Sequence, residues 1–436
     1  MTDRPEDFVR RELDGLPPPK RPNGSDGEPL VPPSSEDDDG LACEGELHTT
    51  RAGGIKDTLH NAAVILEREP AFQNRLRWNT LAEGPEGCGL PWRRDASWAA
   101  WTELDDLELA RWCQERGASM RVETCARAML LVAHRDPHHP VQAFLTGLVW
   151  DRKPRLGSWL TRYLGVTTSP YATAVGRAWM VSAVARAFQP GCKADHGLIL
   201  QGGQGVGKSR AAATIAKNDA WFADEIADLG SKDSAQDLRG KWLIELGELS
   251  AMRRGEVERI KAFMSRRVDH YRPSYGRYSQ DFPRKCVFIG STNESEYLKD
   301  DTGNRRFWPV TVGRIDIDLL RRDIDQLWAE ATATYRAGEK WWLTGDVEQA
   351  AQEEQDARRE ADPWESAVAR FLVGKVLVTS SEVLSAAIGM DLARQDQAAQ
   401  KRISGVLRRL GWSRTLRRIG EKPTRAFVAP GHNEPS

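Results

Sequence analysis

The sequence predicts an α/β fold whose short buried strands form a parallel sheet, with a mainly helical region before it and a small domain after it. The strands are predicted from apolar segments at residues 197–200, 242–246 and 286–290, which are typical of strands buried on both faces. Segments with helical spacing separate them, as in sheets whose strands run the same way. A glycine-rich turn also joins the first strand to an alanine-rich helix at residues 209–216.

The composition limits the class of protein. The chain has 436 residues, enough for two or three domains, and a formal net charge of −1. Its six cysteines show no C-x-x-C pair, and His138 and His139 lack partners at metal-ligand spacing, so we expect reduced thiols and no zinc site. No apolar run reaches the roughly 18 residues of a membrane span. We therefore expect a soluble, cytoplasmic protein with no membrane partner.

Five parts follow one another along the chain. Residues 1–54 are acidic and proline-rich without apolar periodicity, so we expect a disordered tail. The mainly helical region is predicted over 55–195 and the α/β core over 196–345. A polar connecting helix, expected to be solvated, spans 346–363, and a last domain spans 364–436. Within the helical region, six segments have helical spacing: 57–66, 103–114, 122–135, 140–148, 158–164 and 171–188.

The glycine-rich turn fits the phosphate-loop pattern G-x-x-x-x-G-K-[ST] at every defined position. It comprises Gly202, Gly203, Gln204, Gly205, Val206, Gly207, Lys208 and Ser209. Glycines let backbone N–H groups turn toward phosphate oxygens, and the following helix N-terminus adds partial positive charge. We expect Lys208 to reach the β- and γ-phosphates and the Ser209 hydroxyl to bind Mg²⁺. The alternative is a structural turn with a chance Lys-Ser pair, which the strand–loop–helix context disfavours. The sequence therefore predicts a nucleoside triphosphate site.

Two carboxylates lie at and near the carboxyl end of the strand at 242–246. This end faces the ligand in nucleotide-binding parallel sheets. Glu248, which leaves the strand, is our first choice for activating the attacking water and for the Mg²⁺ site, and Glu245 is second. The alternative is a surface glutamate in a helical pair. It is disfavoured because a glutamate within an apolar strand needs a partner.

The next strand and the loop after it carry further candidates. Asn293 at the strand tip can hydrogen-bond the γ-phosphate or orient water, although asparagine also favours helix caps. Arg305 and Arg306 follow on a glycine-containing loop before an aromatic pair, which suits an arginine finger. Because Arg305 and Arg306 lie beyond the strand at 286–290, which precedes Asn293, we expect them at a subunit boundary, acting on a neighbour's triphosphate. A structural salt-bridge pair is the alternative.

Basic and aromatic residues are interleaved in the segment that connects the strand at 242–246 to the strand at 286–290. Such a segment can follow a single-stranded backbone with its cations while its aromatic rings stack on bases. A solvated charged face is the alternative, but the position inside the nucleotide core favours DNA contact. The candidate contacts are Lys261, Arg266, Arg267, Arg272 and Arg277.

The last domain has the pattern of a winged helix. A capped helix, a basic amphipathic helix and a two-stranded wing are predicted at 378–384, 400–410 and 414–428. Arg408 and Arg409 on the basic helix are candidate DNA contacts. A basic helix that is only a soluble surface is the alternative.

Five segments together resemble the virulence-associated protein E family, grouped with the superfamily 3 and poxvirus-type primase-helicases of phages and mobile elements. They are residues 201–209, 240–248, 260–277, 288–293 and 303–309. The resemblance implies a ring-forming, usually hexameric AAA+-like ATPase that moves along single-stranded or forked DNA during replication of the element.

The same resemblance assigns roles to individual residues. It implies ATP contact by Lys208 and Ser209, hydrolysis at Glu248, sensing at Asn293, a finger at Arg305 or Arg306, and a DNA-binding hairpin within 266–277. The sequence departs from the family in that Glu245 and Glu248 are not an adjacent acidic pair. No Asp-x-Asp pair of a primase precedes the core, so we expect priming by a separate chain or by host replication proteins.

Two functions from different classes follow. The first is an ATP-dependent DNA helicase or translocase. The second is an ATP-gated origin-binding or helicase-loading factor that does not unwind DNA. A third, a defence ATPase that senses phage DNA, has no signal in this chain by which to test it.

Overall fold

The computed structural model describes residues 41–224, 232–247, 254–273, 278–298, 303–359, 362–419 and 422–431. Glu248, Arg277 and most of the predicted acidic tail lie outside these ranges. The helices are α1 (Leu59–Arg68), α2 (Glu103–Glu115), α3 (Val122–Ala133), α4 (Pro140–Gly147), α5 (Trp159–Leu164), α6 (Pro170–Phe188), α7 (Lys208–Ala216), α8 (Lys232–Asp237), α9 (Arg254–Met264), α10 (Ile317–Arg336), α11 (Asp346–Ala357), α12 (Glu365–Leu372), α13 (Ser380–Ala386) and α14 (Gln397–Arg409).

The strands form four sheets within the described residues. They are β1 (Leu76–Asn79), β2 (Gly84–Gly87), β3 (Ala99–Ala100), β4 (Pro137–His138), β5 (Gly197–Gln201), β6 (Phe222–Ala223), β7 (Leu243–Leu246), β8 (Val268–Tyr271), β9 (Gln280–Pro283), β10 (Val287–Thr292), β11 (Phe307–Thr311), β12 (Leu377–Thr379), β13 (Ser413–Ile419) and β14 (Lys422–Val428).

The first part of the chain packs helices around a small mixed sheet. Helices α1, α2 and α3 bury Ile65, Leu109 and Met129 in one cluster, and strands β3-β2-β1-β4 lie beside them. The Thr58 hydroxyl accepts a hydrogen bond from the Asn61 N–H and so caps α1, as its position before an apolar helix favours. The helices begin and end near the predicted residues. The sheet is an addition to the predicted helical region.

The central sheet is parallel throughout, in the order β11-β5-β10-β7-β6. This confirms the predicted mixed α/β fold with a parallel sheet. Successive strand residues face opposite sides, so Leu198 and Leu200 join a cluster with α6, α7 and α10, whereas Ile199 joins one with α9. Both faces are therefore covered, which explains why the strands are apolar without alternation.

Helices α5 and α6 share the hydrophobic cluster of this sheet. The indole Nε1 of Trp179 on α6 donates a 2.8 Å hydrogen bond to the carbonyl of Phe288 on β10. Trp159 on α5 belongs to the same cluster. The predicted domain limit at residue 195 therefore separates two segments with a common core.

The charge pattern predicted that the connecting helix is solvated. Helix α11 instead buries one of its faces. It buries Ala351 and Gln355, and the Gln355 side chain donates to the carbonyl of Phe307 on β11 at 3.0 Å. A polar helix can bury one narrow face when its few inward groups find backbone partners, which the sequence pattern alone does not reveal.

The last domain contains α12, α13 and α14 beside the antiparallel sheet β12-β14-β13. Val368, Ile403, Leu407 and Phe427 belong to its core. Thr379 and Glu382 form a capping box at the start of α13. Helices α13 and α14 and the strand pair β13–β14 lie near the predicted residues, whereas α12 and β12 were not predicted.

No helix among the described residues is long and apolar enough to cross a membrane.

Candidate nucleotide site

The phosphate loop connects the carboxyl end of β5 to the start of α7. Gly205 and Gly207 have φ angles of 79° and 96°, a backbone region that favours glycine. The last glycine of the pattern immediately precedes Lys208, the first residue of α7. The loop therefore presents its backbone at a helix N-terminus, the arrangement that suits an anion.

The Lys208 ammonium is held at the mouth of this loop. It is buried and donates to the carbonyls of Gly202 and Gly203 at 2.7 and 2.8 Å and to Oδ1 of Asn293 at 2.8 Å. Desolvation lowers the pKa of Lys208, and the carboxylate of Glu245 opposes that shift. The predicted phosphate-binding lysine and the predicted sensor amide therefore meet directly.

Glu245 on β7 contacts the residue after this lysine. The Ser209 hydroxyl donates a 2.8 Å hydrogen bond to Oε1 of Glu245. The carboxylate is 4% exposed, and its Oε2 has no hydrogen-bond partner in the described part of the chain. A buried carboxylate with an open oxygen beside a serine hydroxyl is a set of oxygen donors that a hard divalent cation prefers. The residues present thus fit Mg²⁺.

The order of the strands brings these groups together. β10 lies between β5 and β7, with Ile289 opposite both Leu198 and Glu245. The sensor amide after β10 therefore lies between the loop after β5 and the acid on β7. Glu248, the first-choice acid, lies outside the described residues, and its role stays a prediction.

Arg358, just after α11, is a residue at this edge that the sequence analysis missed. Its Nε donates to Oε1 of Gln201 at 2.6 Å and its Nη2 to the Thr311 hydroxyl at 3.0 Å. These partners end β5 and β11, so the guanidinium joins two strand ends next to the phosphate loop. No local pattern marks Arg358, because it follows a helix with many other charges.

Arg305 and Arg306 lie at the other end of the sheet. They precede β11, whose Phe307 is opposite Gly197, the first residue of β5. Four strand steps of about 3.3 Å separate that level from the phosphate loop, a distance of roughly 13 Å. These arginines therefore do not face the phosphate loop of their own chain.

The two arginines differ in their contacts. Arg306 Nε donates to the Ser265 hydroxyl at 2.6 Å and its Nη1 to the carbonyl of Gly303 at 3.3 Å. Arg305 is exposed. Lys261, a predicted DNA contact, is buried nearby and donates to Oδ1 of Asn304 at 2.7 Å, so it ties α9 to the arginine segment.

The remaining predicted DNA contacts of the core lie on or beside the hairpin of β8 and β9, which pair antiparallel. Arg266 and Arg272 are exposed, and Arg267 is exposed while its Nε donates to the carbonyl of Gly191 at 2.7 Å. The hairpin is anchored by Asp269, which receives two hydrogen bonds from Arg284 at 2.6 and 2.8 Å.

The two candidate cations of α14 differ in a similar way. Arg408 is exposed, whereas Arg409 forms an ion pair with Glu365 on α12 and lies 3.5 Å from Asp362. Arg409 therefore holds α14 against α12, and Arg408 is the more accessible of the two. Their contact with DNA stays a prediction.

Comparisons with known proteins give one family. The family model of the virulence-associated protein E-like domain matches residues 145–360. No curated protein matches the chain. Among solved structures, the chain is similar to the A-form apo structure of the NrS-1 C-terminal region, with 12% identity and a TM-score of 0.42 over 81% of this chain and 96% of that one. A second A-form apo structure of that region, residues 305–718, has 12% identity and a TM-score of 0.40, over 81% and 96% of the two chains.

Proposed function

We propose, from the match of residues 145–360 to the virulence-associated protein E-like family model, that this chain is an ATP hydrolase with an AAA+-like core. We further propose that it works as a DNA helicase or translocase of the superfamily 3 type in the replication of a phage or mobile element. The proposal of ATP hydrolysis is supported by two neighbouring contacts, that of Ser209 with Glu245 and that of Lys208 with Asn293.

ATP binding is the role of the loop and its lysine. The two loop carbonyls and the amide that now accept from Lys208 are weaker partners than phosphate oxygens. When ATP binds, Lys208 exchanges them for the β- and γ-phosphates, and Asn293 is released to orient the attacking water or the γ-phosphate. The sensor therefore responds to nucleotide through the lysine itself.

Metal binding is the role of Ser209 and Glu245. Mg²⁺, when bound, neutralises charge on the phosphates. Ser209 would supply the hydroxyl oxygen to the ion. The Glu245 carboxylate accepts a hydrogen bond from that hydroxyl through Oε1, and its Oε2 has no hydrogen-bond partner in the described part of the chain. With Glu245 on the metal side, Glu248 is the proposed base that accepts a proton from the attacking water.

An arginine from a neighbouring subunit stabilises the negative charge that develops on the phosphate in the transition state. The strand register puts Arg305 and Arg306 at the end of the sheet away from their own phosphate loop. Arg305 is exposed and Arg306 is bonded to Ser265, which favours Arg305 as the finger. This division of the site between subunits supports a homo-oligomeric ring, for which we propose six subunits from the family resemblance.

DNA contact is the role of the hairpin and of the last domain. The β8–β9 hairpin carries exposed Arg272 toward its tip and is fixed at its base by Asp269 and Arg284. A hairpin held at its base can transmit movement of the core to a strand in the ring channel.

A loading factor without unwinding activity remains the second candidate. It is favoured by β13, whose Arg414, Arg417 and Arg418 are exposed on a two-stranded unit beside a basic helix. Such a winged-helix-like surface suits duplex DNA. An assay of strand displacement, with and without a partner helicase, separates the two functions.

The test is ATP hydrolysis by the purified chain with no DNA, single-stranded DNA and duplex DNA, with Lys208→Ala as the inactive control. Single-strand stimulation that is lost in Lys208→Ala supports a DNA-driven motor. Turnover that DNA does not change supports the loading factor. Full turnover by Lys208→Ala would overturn the site.

A further inference from the structure

A cavity of about 520 Å³ opens at the end of the central sheet opposite the phosphate loop. Its volume is in the range of small-molecule sites. Its lining includes Lys193, His196, Trp308, Trp341, Trp342 and Gln355. Because it is at the level where β5 and β11 begin, it is separate from the proposed ATP site of the same subunit.

Aromatic rings form much of its wall. Trp308 is buried and stacks on His196 with ring centroids 3.6 Å apart and planes 14° from parallel. Trp341 and Trp342 meet edge to face at 5.4 Å, and the indole of Trp341 is fixed by a 2.8 Å hydrogen bond to the carbonyl of Lys193. Trp342 is 49% exposed, and the Lys340 ammonium lies over its ring, 5.8 Å from the centroid.

Two buried polar atoms in the lining have no hydrogen-bond partner in the described part of the chain: Oε1 of Gln355 and Nε2 of His196. The Gln355 Nε2 donates to the carbonyl of Phe307, so its Oε1 is a fixed acceptor. Burial lowers the pKa of His196 to about 3, so near neutral pH its ring is uncharged and has one donor and one acceptor nitrogen. Buried polar atoms are normally paired, and these two lie enclosed behind the cavity surface, so they belong to its wall and do not contact a ligand in this conformation.

Charged groups line the same cavity. Lys193 and Arg305 are exposed cations, and Asp195 and Glu348 are carboxylates in the lining. An aromatic ring that enters with an anionic group attached would find cations for that group and an apolar wall for the ring.

We propose that this cavity binds one nucleotide, with its base against Trp342 and beside the stacked rings of His196 and Trp308. Its phosphate contacts Lys193. The nucleotide comes either from solution or from a single-stranded DNA. The proposal concerns a second site, so it does not depend on ATP hydrolysis at the phosphate loop.

The test uses the full chain with Lys208→Ala, which weakens binding at the phosphate loop. One probe is a single-stranded oligonucleotide containing 5-iododeoxyuridine, and the other is 8-azidoadenosine monophosphate. After irradiation, mass spectrometry identifies the cross-linked peptide. We expect cross-links in the peptide with Trp341 and Trp342. We also expect Trp342→Ala to reduce their yield at least about fivefold, the low end of one base–aromatic stack.

Two further variants and a competition make the result specific. Trp342→Phe should retain most of the yield, and Trp98→Ala, at an exposed tryptophan outside the cavity, should leave it unchanged. Competition by AMP against the oligonucleotide indicates a free nucleotide, and cross-linking of the oligonucleotide without such competition indicates a DNA strand.

The proposal is overturned if the cross-links lie elsewhere and Trp342→Ala behaves like Trp98→Ala. It is also overturned if Trp342→Ala abolishes self-association without changing the cross-links, because the cavity then receives a second copy of the chain. ATP hydrolysis by the unmodified chain is measured separately, so failure of the proposed function is distinguishable from failure of this site.

Discussion

At the scale of single residues, the most informative side chain is Glu245. The sequence pattern favours Glu248 over Glu245, because Glu248 leaves the apolar strand whereas Glu245 lies inside it. The structure gives a reason for a buried carboxylate there, since it accepts from the Ser209 hydroxyl and keeps one oxygen open. Glu248 lies outside the described residues, so variants of the two glutamates are needed to compare their roles in ATP hydrolysis.

Glu245→Gln is expected to lower Mg²⁺-dependent ATP hydrolysis by about 10²-fold or more, the scale of one lost electrostatic group at a reacting phosphate. The apo protein should keep its melting temperature or gain slightly, because the variant removes an ionised carboxylate with an unpaired buried oxygen. Steady-state hydrolysis and thermal unfolding without nucleotide measure the two effects. Glu248→Gln is the matched variant. Full activity in Glu245→Gln, with loss in Glu248→Gln, would contradict the metal-side role of Glu245.

A second residue-scale prediction concerns pH. Burial of Asp105 opposes ionisation, but hydrogen bonds from Arg93, Trp92 and Thr102 outweigh it and lower the pKa to about 2. Because the folded-state pKa is below the ordinary value of 3.8, the stabilisation is present above pH 3.8 and is lost as pH falls through 2.

Asp105→Asn should therefore lower the free energy of unfolding at pH 7 and change it little at pH 2. Denaturant titration of both proteins at the two pH values measures this. An equal difference at both would show that the Asp105 charge is not what stabilises the start of α2.

At the scale of elements, the β8–β9 hairpin depends on one buried ion pair. Arg284 is 3% exposed and Asp269 is 5% exposed, so neither charge is stabilised by water if its partner is removed. We expect Arg284→Ala to destabilise the protein by about 3–5 kcal/mol, because the buried Asp269 carboxylate loses both hydrogen bonds from Arg284 and keeps only Arg266, 3.8 Å away, as an ion-pair partner.

Replacing both members, as Asp269→Leu with Arg284→Met, should recover much of that loss because no charge then remains buried. Urea unfolding of the single and double variants measures the difference. A double variant that is less stable than Arg284→Ala would contradict the argument. The DNA-dependent part of ATP hydrolysis should fall in either variant if the hairpin transmits movement.

At the scale of the whole molecule, the sheet register separates the arginines from their own phosphate loop. Under the proposed function, an arginine from a neighbouring subunit completes the site. Mixtures of Arg305→Ala subunits with Lys208→Ala subunits should therefore recover part of the ATP hydrolysis that each variant lacks alone. An intact phosphate loop and an intact Arg305 then meet at some interfaces. Hydrolysis across mixing ratios, with oligomer size checked by light scattering, measures the effect.

Arg306→Ala is the control for that experiment. Its side chain bonds Ser265 and Gly303, so we expect lower stability. If the oligomers are intact but no mixture of Arg305→Ala and Lys208→Ala subunits hydrolyses ATP faster than the two variants do separately, Arg305 has a structural role.

The sequence by itself determined what depends on neighbours along the chain. The phosphate loop occupies eight consecutive residues whose glycines set their own backbone angles, and the capped helices and the wing strands are encoded in the same local way. For the same reason the parallel strands could be predicted from short apolar segments.

Only the tertiary structure decided which groups share a site. Strand order put Asn293 next to Lys208 and Glu245 next to Ser209, and it put Arg305 at the far end of the sheet. It also buried Lys261 and brought Arg358 to the phosphate loop from a helix that the sequence predicted to be solvated. These contacts join residues from 36 to 157 positions apart, and their geometry follows from sheet order and helix packing, which no local pattern specifies.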